Sequence, residues 1–259
     1  MTPTILHATH HGDPAADETV VLLSSIATTQ ATWKNQIPAL AERFHVIAID
    51  HLGHGGSPRP DAEPGTTTVA DLAANVLATL DQLGVGRFSV VGLSLGGVLA
   101  QYLAATSGRV DRAVFCSTAT YLGGEERWAE RTSVARTEGM HALADGMLTN
   151  WFTPPFHSEH PDVVDFVRSI IEGVDPEGYA LNGDALAHWD FGSRLGEIRC
   201  PVLTIAGADD PSTGPDQLAE IAAGVSGPAE SVVVTPGSHQ VGLENPEAVT
   251  TALLSFLTR

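Results

Sequence analysis

One serine in the chain sits in a glycine frame, Gly92-Leu93-Ser94-Leu95-Gly96-Gly97. A free serine hydroxyl is a poor nucleophile. It needs a general base within hydrogen-bond reach and a third group that orients the base. Candidates for both follow downstream, in Gly207-Ala208-Asp209-Asp210-Pro211 and in Thr235-Pro236-Gly237-Ser238-His239. Serine, acid, histidine is one of the chain orders in which such triads occur. On this reading His239 takes the Ser94 proton and later returns it to the leaving group, while the acid holds the imidazole. The chain has 11 histidines, so His239 is singled out by its place and not by its type. Asp210 is preferred to Asp209 as the acid, because Pro211 pushes the residue before it toward extended backbone. Asp209 is left to cap the turn. An oxyanion would form on the attacked carbonyl, and the candidate donors are the backbone N–H groups of Leu95 and of Ile26 in Ser24-Ser25-Ile26-Ala27.

These residues are useful only if the chain holds them together. The apolar run Phe88 to Val91 enters the serine motif, and a helical pattern from Val98 to Thr106 leaves it. A strand, a tight turn and a helix in that order expose the hydroxyl, and the helix N-terminus favours developing negative charge. Further near-continuous apolar runs predict strands at Thr19–Leu23, Phe44–Ile49, Arg112–Phe115, Val202–Ile205 and Val232–Val234, with an edge strand in Ile5 to His11. Such runs suit strands covered on both faces in a parallel sheet. Val69, Leu72, Val76, Leu80 and Leu83 have helical spacing, with Thr68 and Asp71 placed as a capping box and Gly84 as a stop. Asn245-Pro246-Glu247 predicts a capped start for a last helix. The alternation implies an α/β fold with a mostly parallel, doubly wound sheet. It breaks over 118–195, which reads as a helical cap inserted into a core made of 1–117 and 196–259. Ser25 and the aromatic residues Trp128, Trp151 and Trp189 are the candidates for a substrate pocket.

Composition narrows the partners. The 259 residues are 43% apolar and 17% charged, as a globular chain requires. Thirteen Lys and Arg against 31 Asp and Glu give a net charge of -18, which repels nucleic acid and anionic membranes. Cys116 and Cys200 lie far apart beside apolar runs and read as free thiols. His51 and His54 near Asp50 lack a convincingly spaced third ligand, so they read as structural and no metal is expected. No leader-like or membrane-spanning stretch is visible, and the expected location is the cytoplasm. The expected partner is a small-molecule substrate, and nothing marks a macromolecular partner surface.

The nucleophile motif and the Asp50-His51-Leu52-Gly53-His54-Gly55-Gly56-Ser57 run resemble those of α/β-hydrolases, and the likeness covers nearly the whole chain. It is similar in particular to 3-oxoadipate enol-lactonases, through Trp33 to Leu40, Trp151-Phe152-Thr153-Pro154, Pro176 to Ala180 and Ile205 to Pro211. The resemblance implies hydrolysis of a small ester or lactone through an acyl-enzyme, without a cofactor, and it also places the acid on Asp210. A C–C bond hydrolase or a simple carboxylesterase would share the triad. A receptor-like member that traps its ligand is a rival of another class. Three departures bear on the substrate. Leu52 replaces an arginine usual in the superfamily. Ser24-Ser25-Ile26-Ala27 replaces an Asn-Ser-Leu-Gly run, and Leu181-Asn182-Gly183-Asp184 stands where paired cysteines are frequent. A carboxylate-bearing lactone would want a cation, for which the cap offers Arg127, Arg131, Arg136 and Arg168.

Overall fold

The computed structural model describes residues 3–59 and 62–259. Seven strands form one sheet in the order β1-β3-β2-β4-β5-β6-β7. They are β1 (Ala8–His11), β2 (Thr19–Leu23), β3 (His45–Ile49), β4 (Phe88–Leu93), β5 (Val110–Cys116), β6 (Val202–Gly207) and β7 (Ala229–Val234). Only β1 runs antiparallel, against β3. The sheet is therefore mostly parallel, as the apolar runs imply.

Alternation along the strands divides the core into two layers. Val20, Leu22, Val46, Ala48 and Val91 face a layer completed by Leu40 of α1 (Ile37–Ala41) and Leu253 of α11 (Pro246–Leu257). Val21, Leu23, Ile47, Ile49 and Val90 face α2 (Val69–Gln82) and α3 (Leu95–Thr106). Both faces are covered, which is why most runs lack a polar alternate. β7 differs from the expected buried strand: it is one of the two sheet edges, and Val233 is 54% exposed. The capping box of α2 forms as expected. Thr68 Oγ1 accepts the Asp71 N–H at 3.2 Å, and Asp71 accepts the Thr68 N–H at 3.0 Å.

Between β5 and β6 the chain makes α4 (Gly124–Glu138), α5 (His141–Trp151), α6 (Pro154–Glu159), α7 (Pro161–Gly173) and α8 (Pro176–Ala187). This helical insertion is fastened to the loop after β3. A side chain at Gly178 would sit 2.7 Å from the Gly53 backbone, and Asn182 donates to Leu52 O at 2.8 Å. After β6 come α9 (Pro215–Gly224) and, beyond β7, α10 (Val241–Glu244) and α11. The expected Asn245 side-chain cap on α11 does not form; the side chain is tied instead through its Nδ2 amide, which donates to Pro236 O at 3.2 Å. Among the described residues no helix is long and apolar enough to cross a membrane. Cys116 and Cys200 are free; burial pushes their thiols up to about 12 and about 11.

Candidate active site

Ser94 caps α3 directly, so the helix begins earlier than its apolar pattern suggested. Its backbone lies at φ 57 and ψ -113, a region that non-glycine residues avoid. The surrounding packing imposes that strain. A Cβ at Gly92 would approach Gly96 O to 2.0 Å, and one at Gly96 would approach Leu23 O to 2.1 Å. Only hydrogen fits at either place, so the glycines let strand and helix close into an elbow. The Gly96 N–H donates to Ser24 O at 3.0 Å and ties the elbow to the neighbouring Ser24–Ala27 turn.

His239 and Asp210 meet across the ends of β6 and β7. His239 Nδ1 lies 2.8 Å from Asp210 Oδ2, and both residues are buried. Asp210 also accepts the Ser212 and Thr213 N–H groups at 2.9 and 3.1 Å and the Thr213 hydroxyl at 2.8 Å. Burial, the largest influence on this carboxyl, opposes its ionisation. The His239 charge and the hydrogen bonds from His239, Ser212 and Thr213 outweigh it and hold the pKa at about 2. Asp209 is exposed, and among the described residues its carboxylate receives only the Gly237 N–H, at 3.4 Å. The acid in contact with the histidine is therefore Asp210. Thr213, also 3.1 Å from His239 Nδ1, was not singled out by sequence. Its signal was the Asp-Pro-Ser-Thr run, in which a carboxylate gathers the donors of the following turn.

Ser94 and His239 share a cavity of about 120 Å³. Among the described residues no hydrogen bond joins the Ser94 hydroxyl to His239. Ile26, Trp128 and Trp151 also line the cavity, and Trp151 stacks on the His239 ring with centroids 5.8 Å apart. Leu95 is fully buried at the first position of α3, where its N–H has no helical acceptor. Two pocket candidates lie elsewhere. The Trp189 indole N–H donates to Ala119 O at 3.0 Å and its ring stacks on Phe191, which turns it into a separate groove. Ser25 is buried, with its C=O accepting from the Thr28 hydroxyl, and does not line the cavity.

The histidines after β3 are scaffold. His51 Nε2 donates to Ser24 O at 2.6 Å. His54 Nδ1 donates to Leu52 O at 2.9 Å, while its Nε2 accepts the Ala27 N–H at 3.0 Å. The second bond holds Ala27 at φ 61, beside Ile26. Asp50 accepts the Gln30 and Gly56 N–H groups and the His7 ring. Among the described residues no cluster of His, Cys, Asp and Glu would hold a metal.

The four arginines of the helices between β5 and β6 separate into two pairs. Arg136 is bound by Glu177 and Asp184, and Arg168 by Asp145 and Glu172. Arg127 and Arg131 line the cavity, and among the described residues neither has a carboxylate partner. Arg131 Nε donates to the Tyr179 hydroxyl at 3.0 Å, and its guanidinium lies over the Trp128 ring.

Known proteins carry the same architecture. The model of the alpha/beta hydrolase family matches residues 20–252. A 3-oxoadipate enol-lactonase of Acinetobacter baylyi is 34% identical over 200 residues, which are 76% of this chain and 74% of its own. The enol-lactonase crystal structure from Burkholderia xenovorans matches with a TM-score of 0.93 and 35% identity, covering 98% of this chain and 96% of that one. A thermophilic esterase from Thermogutta terrifontis matches with a TM-score of 0.90 and 26% identity, over 98% and 93% of the two chains. The family model spans most of the chain, and the chain belongs to the alpha/beta hydrolase family.

Proposed function

We propose that this protein is a serine hydrolase that opens a small ester or lactone through an acyl-enzyme, with Ser94, Asp210 and His239 as its triad. The observation that carries the reading is the 2.8 Å His239–Asp210 hydrogen bond at the cavity into which the strained Ser94 elbow also opens. Ser94 Oγ adds to the carbonyl carbon as His239 Nε2 takes its proton, and the carbonyl electron pair moves onto oxygen. That oxygen is held by the N–H groups of Leu95 and Ile26. Asp210 keeps the proton on Nδ1 and stabilises the imidazolium. Collapse of the adduct expels the alcohol oxygen, which receives the proton from His239. A water, deprotonated by His239, then releases the acid and restores Ser94. The link from Ser94 to His239 tightens when substrate enters, as such bonds commonly do. No cofactor takes part.

The substrate is small, since the cavity of about 120 Å³ falls below the ~300–1,000 Å³ usual for drug-sized ligands. Arg127 and Arg131 favour one that carries a carboxylate, in an enol-lactone such as that named for the Acinetobacter relative. Residues 118–195 act as the cap that shapes this specificity, over a core of 1–117 and 196–259. The test is sustained release of p-nitrophenol from a short acyl ester by the wild type and by Ser94→Ala. Turnover lost in the variant supports the reading, and turnover retained sinks it. A stall after one equivalent per chain would instead favour a ligand-trapping protein.

A further inference from the structure

The hydrolytic chemistry leaves one buried carboxylate unused. Glu244 ends α10, shortly after His239, and is 8% exposed. Its two oxygens serve different parts of the molecule. Oε1 accepts the Thr153 N–H at 3.1 Å and also the Thr153 hydroxyl, at the corner between α5 and α6. Oε2 accepts the N–H of Ser238 at 2.9 Å, the residue immediately before His239. Two parallel bonds join the same segments. Ser238 Oγ donates to Asn150 O at 3.0 Å, and the Gln240 N–H donates to Trp151 O at 3.0 Å. The backbone on both sides of His239 is therefore fastened to 150–153. Asn150 and Trp151 also form part of the catalytic cavity wall.

A buried carboxylate persists only where donors satisfy it. Here all three donors come from the two segments it joins. Glutamine has nearly the same shape, but one of its two terminal atoms is an NH₂ that cannot accept. In either orientation it leaves the Thr153 N–H or the Ser238 N–H without a partner.

We infer that Glu244 is a positioning residue for hydrolysis: it latches the His239 loop to the α5–α6 corner, so that the cavity wall and the general base move as one body. The inference rests on the general-base reading of His239. Its consequence is that substrate pressing on Asn150 and Trp151 registers the imidazole that must take the Ser94 proton. A misplacement of about 1 Å between such groups costs on the order of 100-fold in rate.

The experiment compares the wild type, Glu244→Gln and Thr153→Val, with Ser94→Ala as control. It measures kcat and KM on a short p-nitrophenyl ester and amide hydrogen exchange along the chain. For Glu244→Gln we expect kcat to fall about tenfold or more, with KM changed less than about threefold. Exchange should quicken in 150–153 and 238–240 alone. Thr153→Val, which removes only the hydroxyl donor, should move both readouts the same way by less. A folded Glu244→Gln with wild-type kcat and exchange overturns the latch. So does exchange that quickens uniformly, since that marks general destabilisation. Should Glu244→Gln fail to fold, Thr153→Val decides by the same two readouts. Turnover surviving in Ser94→Ala would refute the serine reading instead, and exchange would still judge the latch.

Discussion

Acid should loosen this protein at His54. Both ring nitrogens are committed in the neutral form: Nδ1–H donates to Leu52 O, and Nε2 accepts the Ala27 N–H. Protonating Nε2 would set two N–H groups against each other beside the Ile26 turn. Burial, and then the neighbouring His51, lower the His54 pKa from 6.5 to about 4. The unfolded chain takes up this proton near pH 6.5, the folded chain only near pH 4. The contribution of His54 to stability is therefore level above pH 6.5 and falls as the pH drops from 6.5 to 4. At ~1.36 kcal/mol per pKa unit, about 3 kcal/mol is lost by pH 4. Asp210 acts in a lower window. Its folded pKa is depressed from 3.8 to about 2, so its contribution is intact above 3.8 and disappears between 3.8 and 2. Burial lowers the pKa of His51 and His45 as well, so the wild-type slope contains their share. Urea unfolding of the wild type and of His54→Gln, from pH 8 to pH 4, isolates His54. The wild type should lose about 3 kcal/mol more than the variant over that range. Parallel curves would refute the assignment of His54 as a buried, neutral acceptor.

Three further outcomes follow from the geometry. Gly96→Ala forces a methyl to within 2.1 Å of Leu23 O and should cost about 3 kcal/mol or more, read as a lowered denaturant midpoint together with lost activity. Asp210→Asn should lower kcat by about 10⁴ with KM little changed, since an amide in this place selects the wrong imidazole tautomer. Arg131→Met should raise KM for a carboxylate-bearing lactone by about ten- to a hundredfold, the worth of one charge-assisted hydrogen bond. A neutral ester of similar size should keep its KM, and equal effects on both substrates would remove Arg131 from carboxylate recognition.

What the sequence disclosed and what it concealed divide along locality. The elbow was legible because strand, Gly92–Gly97 and helix are contiguous and the steric demand is local. The Thr68–Asp71 box was legible for the same reason. Asp210 could be separated from Asp209 by the adjacent Pro211, a one-residue effect. Where partners come from distant segments the reading weakened. Val232–Val234 looks like a buried strand, but hydrophobicity along a run does not say where in the sheet the strand lies, and β7 is an edge. Asn245 has the right type and place for a cap, yet Pro236 O takes its amide. Trp189 and Trp128 are equally aromatic, and only packing turns the first toward Phe191 and the second toward the cavity. Glu244 and Thr153 lie 91 residues apart, and no spacing rule joins them.

In the proposed reaction Ser94 carries the acyl group between the two half-reactions. That role is tested most directly by incubating the protein with a fluorophosphonate and locating the adduct by peptide mass spectrometry. One label per chain is expected, on Ser94, formed at a rate that collapses in His239→Ala and absent in Ser94→Ala. A label on another residue, or no label from a protein that turns over esters, would contradict it.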